Sequence, residues 1–299
     1  MSDHRYYIVT DEAGATRALD LLSSVFEEEG VPIATMEVDE AKGLWEVSVY
    51  GGGEPDAELK SRVAQCLERD FPGASIEIEV FGDTDWIAKS LEGLKPVRAG
   101  RFLVHGAHDR DAVRINDLAI ELEAGQAFGT GHHGTTAGCL EMIDRVMRAV
   151  PGGRGGTPGG IGAVLDLGTG SGVLAIAAAK LGPVKVLATD IDPVATRVAR
   201  ENVRGNHVAA RVSCVTATGF HSTAFSREGP FGLIIANILA RPLMRMAPDI
   251  RRNLAPGGSV ILSGILASQR RQVLAAYNGQ GMRHLETLWR NGWVTIHLK

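Results

Sequence analysis

A glycine-rich turn between a predicted strand and a predicted helix constrains the fold of this chain more than any other feature. Residues 164–172 read VLDLGTGSG, a strand-like run followed by glycines at alternate positions, and a mostly apolar helix is predicted over residues 172–181. Glycines let the backbone pass close beneath a ligand, and the first turn of a helix offers unpaired NH groups to it. The turn therefore predicts a nucleotide site.

An acid at the end of the next predicted strand strengthens this interpretation. Asp190 follows Gly168 by 22 residues and ends a strand predicted over residues 185–190. A carboxylate at that position accepts hydrogen bonds from both hydroxyls of a ribose. Two other acids are expected to be structural. We expect Asp166 to fix the glycine turn through backbone NH groups, and Asp192 to cap the helix that follows it.

The C-terminal part of the sequence distinguishes between nucleotide classes. From residue 163 onward, predicted strands and helices alternate, which indicates a parallel sheet covered by helices on both faces. A dinucleotide site prefers G-x-G-x-x-G, whereas Gly172 comes one residue early. Asn291-Gly292 between two alternating segments predicts a terminal antiparallel hairpin. Such a sheet resembles the S-adenosylmethionine-dependent methyltransferase fold and favours that cofactor.

The first 82 residues follow a different pattern, in the order strand, helix, strand, strand, helix, strand. This order predicts a ferredoxin-like domain. Residues 83–100 then form a predicted connector, and residues 101–299 the methyltransferase domain. The predicted fold class is α/β, a Rossmann-like class I methyltransferase sheet with a C-terminal antiparallel hairpin, preceded by a smaller ferredoxin-like α+β domain.

The charge is divided unevenly along the chain. Residues 1–90 contain 7 Lys or Arg and 20 Asp or Glu, a formal charge of −13, whereas the whole chain carries only −4. Such an acidic domain repels phosphate backbones and attracts a basic protein. The sequence also shows neither a membrane-length apolar run nor the apolar core of a signal peptide. We therefore expect a cytoplasmic monomer with a basic protein partner, no direct nucleic-acid binding and no membrane.

Two further motifs narrow the class. Residues 127–136 read AFGTGHHGTT before an amphipathic helix, and residues 236–240 read ANILA at a predicted strand end. With DLGTGSG and the LSGILASQ of residues 262–269, they resemble the ribosomal protein L11 methyltransferase family, which trimethylates amines of that large-subunit protein. The resemblance covers nearly all of the catalytic half. It implies S-adenosyl-L-methionine as cofactor, and ribosomal protein L11 as substrate through its lysine ε-amines and, as a further candidate, its N-terminal α-amine. It also implies substrate recognition by the ferredoxin-like domain.

The resemblance also implies a set of site residues. Asn237 is the candidate for orienting the amine, and the predicted cofactor contacts are Thr136, Gly168, Asp190, Asn237, Phe128, Gly129 and Gly170. Two of these have structural alternatives, because Thr136 is also suited to a helix cap and Asn237 to a turn. The chain departs from the family at Gly134, where proline is common, which predicts a more mobile loop before the ligand binds.

No metal site is predicted. His132 and His133 are adjacent, but no acidic or cysteine ligand lies near them in the sequence. A histidine that positions the loop or lines the cleft is therefore the favoured interpretation.

Other functions remain open from sequence alone. A related lysine methyltransferase acting on another protein, such as the electron-transfer-flavoprotein β subunit, would share the catalytic motifs, but the acidic first domain favours the ribosomal substrate. A nucleic-acid methyltransferase often ends this strand with an Asn-Pro-Pro-Tyr type motif, unlike Asn237-Ile-Leu. A non-catalytic RNA-binding module would display aromatic and basic side chains on its strands, where this chain has Glu46, Glu77 and Glu79.

Overall fold

A computed structural model describes residues 3–26, 29, 31, 33–39, 42–52, 55–81, 96–122, 134–149 and 160–299. The chain divides into two compact units, Met1–Ser90 and Leu91–Lys299. Four residues named above, Phe128, Gly129, His132 and His133, lie outside the described residues. None of the helices that the structure describes combines the length and the apolar character needed to cross a membrane.

The first unit is a four-stranded antiparallel sheet with two helices. Its elements are β1 (Asp3–Asp11), α1 (Glu12–Phe26), β2 (Ile33–Asp39), β3 (Leu44–Gly52), α2 (Ala57–Leu67) and β4 (Glu77–Phe81). The strand order β2-β3-β1-β4 is that of the predicted ferredoxin-like fold. Tyr6 and Ile8 alternate along β1, while Leu19 and Leu22 share one face of α1, and all four are buried. The two periodicities therefore place one face of the sheet against the helices.

The other face of this sheet has an ion-pair cluster at its centre. Arg5 of β1 lies between Glu46 of β3 and Glu79 of β4, with nitrogen–oxygen distances of 2.5 Å and 2.7 Å. Its guanidinium also lies 4.8 Å from the centre of the Tyr7 ring. Two of the glutamates that argue against an RNA-binding surface are therefore paired, and this part of the face carries less negative charge than the sequence suggests.

The second unit begins with a small sheet and a helix that precede the large sheet. The small sheet has the order β5-β6-β7, with β5 antiparallel and β7 parallel to β6. Its strands and the next helix are β5 (Val97–Ala99), β6 (Phe102–His105), β7 (Leu118–Glu121) and α3 (Gly134–Ala149). Residues 97–99 of the predicted connector thus form a strand. A segment of this length is too short to show a strand periodicity in the sequence. It is a strand because it pairs with β6.

Seven strands form the large sheet of the second unit. The elements are β8 (Ala163–Leu167), α4 (Val173–Leu181), β9 (Lys185–Asp190), α5 (Pro193–Gly205), β10 (Val212–Thr216), α6 (Thr223–Glu228), β11 (Phe231–Asn237), α7 (Ala240–Asn253), β12 (Leu254–Leu266), α8 (Arg270–Asn278), β13 (His284–Arg290) and β14 (Trp293–Leu298). Their order is β10-β9-β8-β11-β12-β14-β13. Only β14 runs antiparallel to its neighbours, β12 and β13. The direction of the winding changes between β8 and β11, where sheets of this kind bind ligands.

Both faces of the large sheet are buried. Val164 belongs to a core that includes α3 and α4, whereas the adjacent Leu165 belongs to a core that includes α7 and α8. Successive strand residues point to opposite faces, so a strand covered on both sides is apolar throughout. The predicted α/β class with helices on both faces is confirmed, and α3 lies on the α4 side.

Two details of the predicted strands can be compared with the structure. Asn291 and Gly292 have φ values of 45° and 76°, as expected for a tight hairpin turn. β12 is the longest strand of the sheet and begins at Leu254, before the Pro-Gly-Gly segment of residues 256–258. Pairing shifts from Phe231–Leu254 to Leu233–Ser259, so a bulge accommodates this segment.

Candidate active site

The glycine-rich turn crosses the carboxyl end of β8 in a conformation that favours glycine. Gly168, Gly170 and Gly172 have φ values of 74°, 54° and 85°. The NH groups of Gly168 and Thr169 both donate to the carbonyl of Thr189, at 2.8 Å and 2.9 Å. The turn is therefore fastened to the end of β9, the strand that carries the predicted ribose acid.

Gly168 also has no room for a side chain. A Cβ at this position would lie 2.3 Å from Cγ2 of Ile238, a distance that real Cβ atoms do not show. Ile238 follows β11 directly, so the turn after β8 and the end of β11 are in contact. Sequence analysis did not single out Ile238, although it lies inside the ANILA motif.

Asp190 is held in a fixed orientation at the end of β9. Its Oδ2 accepts a hydrogen bond from the Gly170 NH at 2.9 Å, and its Oδ1 accepts one from the Asp192 NH at 3.0 Å. A carboxylate has about four acceptor positions. Because Asp190 is only half-buried, it can accept further hydrogen bonds from two ribose hydroxyls. The remaining acceptor positions of Asp190 therefore fit the ribose of a nucleoside.

The neighbours of Asp190 have separate tasks. Asp192 accepts a hydrogen bond from the Val194 NH at 2.8 Å and caps α5, as predicted. Ile191, between the two acids, is 67% exposed. An apolar side chain beside a ribose acid suits the face of a nucleobase, and the sequence analysis missed it because a single exposed Ile carries no pattern.

Asp166 anchors the turn from below, but through the Thr169 hydroxyl and an NH group of α4 and not through the NH groups of the turn itself. It is completely buried, and its Oδ2 accepts hydrogen bonds from the Thr169 hydroxyl at 2.6 Å and the Ala175 NH at 3.0 Å. No described residue provides a partner for its Oδ1. Burial raises the pKa of Asp166 to about 6, although both hydrogen bonds act in the opposite direction. The turn and α4 thus share one buried carboxyl group.

Thr136 and Asn237 meet at the same edge of the sheet. Asn237 ends β11, and its Nδ2 donates to the Thr136 hydroxyl over 3.5 Å, a long hydrogen bond. Thr136 is buried and lies within the first turn of α3, which begins at Gly134, so it is not the helix cap. Since Ile238 contacts Gly168, the structure brings Thr136 and Asn237 to the glycine turn and Asp190.

A second pair of polar residues lies behind Asn237. Ser263 of β12 is its neighbour in register and is completely buried. The Ser263 hydroxyl lies 2.9 Å from Oγ1 of Thr295 and 3.4 Å from the carbonyl of Thr135. Ser263 lies inside the LSGILASQ segment, where a hydroxyl in a buried strand was the available signal. Sequence reasoning did not identify either Ser263 or Thr295.

Comparison with known proteins agrees with this geometry. Residues 11–299 match the family model described as Ribosomal protein L11 methyltransferase (PrmA). Proteins of that name from Rhizobium johnstonii and Rhizobium leguminosarum bv. trifolii are 62% and 63% identical, over 100% and 99% of this chain and 99% of each relative. The crystal structure of a ribosomal protein L11 methylase from Lactobacillus delbrueckii subsp. bulgaricus has a TM-score of 0.59 and 29% identity, and covers 68% of this chain and 97% of its own.

The chain belongs to the ribosomal protein L11 methyltransferase family. Membership confirms the resemblance drawn from the motifs and the class I methyltransferase fold. The family consists of S-adenosylmethionine-dependent protein methyltransferases, so S-adenosylmethionine is the methyl donor. The glycine-rich turn together with Asp190 fits the adenosine part of this donor. The flavoprotein-directed enzyme and the RNA-binding module are not favoured.

Gly168→Ala should weaken binding of S-adenosylhomocysteine, the demethylated product, by tenfold or more, equivalent to about 1.4 kcal/mol. The added Cβ would displace Ile238, and the left-handed backbone would be strained by about 1–2 kcal/mol. Isothermal titration calorimetry measures the Kd. Gly257→Ala is the matched control, because Gly257 has a φ of 72° and nothing within 4 Å of its Cβ. Equal weakening of S-adenosylhomocysteine binding in both variants would show that backbone strain, and not the close contact of Gly168 with Ile238, controls binding.

Asp166→Asn should change how stability depends on pH. The pKa of Asp166 is raised to about 6, so the folded protein holds this proton more tightly than the unfolded chain does. Ionisation of Asp166 therefore lowers stability as pH rises from about 4 to about 6, and asparagine does not ionise. Relative to Asp166→Asn, the native protein should lose up to about 3 kcal/mol over this interval, measured by urea unfolding. Parallel pH profiles would contradict the assignment.

Proposed function

We propose that this chain transfers methyl groups from S-adenosylmethionine to amines of ribosomal protein L11. The observation that carries the proposal is the identity of 62–63%, over essentially the whole chain, with proteins of that name. The targets are lysine ε-amines, with the N-terminal α-amine as a further target. Because ribosomal proteins are made in the cytoplasm, we place the reaction there.

The proposed donor site consists of residues from three strand ends and one helix. Asp190 binds the ribose, the turn with Gly168 and Gly170 lies beneath the nucleoside, and Ile191 covers the base. Thr136 and Asn237 contact the rest of the donor. Phe128 and Gly129 belong to the same proposed site on the basis of their motif. Two observations support this site. Ile238 packs against the turn at Gly168, and the Gly170 NH donates a hydrogen bond to the Asp190 carboxylate.

Methyl transfer from S-adenosylmethionine to an amine depends more on the position of the amine than on acid–base catalysis. S-adenosylmethionine supplies a methyl group on a positively charged sulfur when it is bound. The protein must hold a neutral amine in line with that methyl group, and proximity provides most of the acceleration. Asn237 is suited to this role because its Nδ2 donates to the Thr136 hydroxyl. This hydrogen bond fixes the orientation of the amide, so that the amide oxygen can accept a hydrogen bond from an amine N–H group.

The proton on the amine is the main energetic obstacle. A lysine with a pKa of about 10.4 is neutral in roughly one molecule in 2,500 at pH 7, equivalent to about 4.6 kcal/mol. An α-amine with a pKa near 7.8 requires only about 1 kcal/mol. Burial of the amine beside the donor, away from water, lowers its pKa and reduces this cost. A substrate lysine must therefore enter a dry part of the site.

The acidic first unit gives a reason for the choice of a basic partner. Residues 1–90 carry a formal charge of −13, which attracts a lysine-rich protein from a distance and repels nucleic acid. Ion pairs such as Arg5 with Glu46 and Glu79 reduce this charge only locally. We therefore assign substrate recognition to residues 1–82 and expect no direct nucleic-acid binding.

The proposal is tested with purified protein, S-adenosylmethionine and recombinant ribosomal protein L11. Intact-mass spectrometry should show L11 species heavier by one or more methyl groups, with equivalent release of S-adenosylhomocysteine. The electron-transfer-flavoprotein β subunit serves as the control substrate and should remain unmodified. An unmodified L11 in the presence of a protein that binds S-adenosylhomocysteine would overturn the substrate assignment and leave the donor site standing.

Asn237→Ala should lower turnover of L11 about a hundredfold, equivalent to roughly 2.7 kcal/mol, because the amine loses its orienting acceptor. The circular dichroism spectrum should stay unchanged, since Asn237 ends its strand and is only half-buried. Asn278→Ala, an exposed change at the end of α8, is the control and should keep full turnover. Near-normal turnover of Asn237→Ala would show that another group orients the amine.

A further inference from the structure

Two neighbouring strand ends hold two consecutive residues of α3. Asn237 of β11 and Ser263 of β12 are partners in the parallel register. Asn237 reaches the hydroxyl of Thr136 at 3.5 Å, and the Ser263 hydroxyl lies between the carbonyls of Thr135 at 3.4 Å and Val294 at 3.3 Å. The first turn of the helix is therefore fastened at two successive residues, and only one of these contacts involves a proposed donor-binding side chain.

Thr295 completes this arrangement from the next strand. Thr295 lies on β14. Its hydroxyl is 2.9 Å from the hydroxyl of Ser263, and both residues are almost completely buried. A Cβ on Gly138 would lie 2.4 Å from Oγ1 of Thr295. The absence of a side chain at Gly138 thus lets α3 lie directly on the Thr295 hydroxyl.

Packing alone does not require hydroxyl groups at these positions. On the face of β12 that Ser263 shares with α3, Ile261 is apolar and completely buried, so an apolar side chain suits this layer. A buried hydroxyl is unfavourable unless it is hydrogen-bonded. The buried Cys139 thiol lies beside the Ser263 and Thr295 hydroxyls, and burial raises its pKa to about 12, so it stays protonated. The polar group is a connected network at the base of the first turn of α3.

From this network we infer that Ser263 and Thr295 are positioning residues for the methyl donor. They hold the first turn of α3 so that the Thr136 hydroxyl faces the donor site beside Asn237. The inference rests on the proposed contact between Thr136 and the donor. Ser263 and Thr295 act through this turn, so loss of their hydroxyls weakens donor binding.

A matched pair of variants separates positioning from packing. Thr295→Val keeps the shape of the side chain and removes the hydroxyl, whereas Thr295→Ser keeps the hydroxyl and removes a methyl group. For S-adenosylhomocysteine, Thr295→Val should raise the Kd about five- to tenfold, the value of one hydrogen bond, and Thr295→Ser should stay within about twofold. Thermal unfolding should not follow this order, because Thr295→Val leaves the Ser263 hydroxyl without its Thr295 partner while Thr295→Ser leaves a cavity, so both variants lose stability.

A double variant tests the route through Thr136. If Thr295 acts by placing Thr136, the variant that combines Thr136→Val with Thr295→Val should bind S-adenosylhomocysteine no more weakly than Thr136→Val alone. The inference would be overturned if Thr295→Val bound S-adenosylhomocysteine with wild-type affinity, or if the losses in affinity followed the losses in melting temperature. It would also be overturned if the Kd increases of Thr136→Val and Thr295→Val multiplied in the double variant. Wild-type affinity in Thr136→Val would overturn it as well.

These measurements do not depend on the protein substrate. Failure of L11 methylation together with the expected pattern of Kd values would reject the proposed substrate and support the positioning role. The steady-state kinetics of Thr295→Val give a second readout, a raised KM for S-adenosylmethionine. A lowered kcat at an unchanged KM would contradict the role in donor binding.

Discussion

The close approach of the backbone at Gly168 to Ile238 is the constraint on which the candidate site depends. A side chain at Gly168 would collide with Cγ2 of Ile238, so the turn after β8 and the end of β11 can meet only through glycine. The same turn is tied to β9 by two NH groups that share the Thr189 carbonyl. The strand order already places the ends of β9, β8 and β11 side by side at one edge of the sheet. The close contact at Gly168 fixes how near the turn comes to the end of β11, and with it the distance between Asp190 and Asn237.

Buried polar groups carry the rest of the arrangement, and each one has a cost. Asp166 is a carboxyl group without solvent access, and burial raises its pKa to about 6. Ser263 and Thr295 place two hydroxyls in an otherwise apolar layer. Proteins keep such groups where geometry matters more than stability, since an apolar substitution is often neutral or stabilising. Here all three lie next to the turn or helix that borders the proposed donor site. Their locations therefore mark where the fold accepts a cost in stability for an accurate geometry.

The sequence predicted the parts of this structure that have a local signature. The turn at Gly168 and the hairpin at Asn291-Gly292 each need particular residues at fixed spacing, and both lie where the pattern indicates. The Asp192 cap is equally local. By contrast, the strand Val97–Ala99 and the bulge after Leu254 depend on pairing with distant residues, and no periodicity reveals them. Ile238, Ser263 and Thr295 were missed for the same reason. Each is an ordinary residue type in a strand or at its end, and its part in the site comes from neighbours far away in the chain.

The place of β14 in the sheet links its edge to the layer beneath α3. This strand comprises residues 293–298, and it lies between β12 and β13 and contributes Thr295 to that layer. Because β13 joins the sheet through β14, a change that breaks the pairing of β14 would detach β13 and open the layer beneath α3 at the same time.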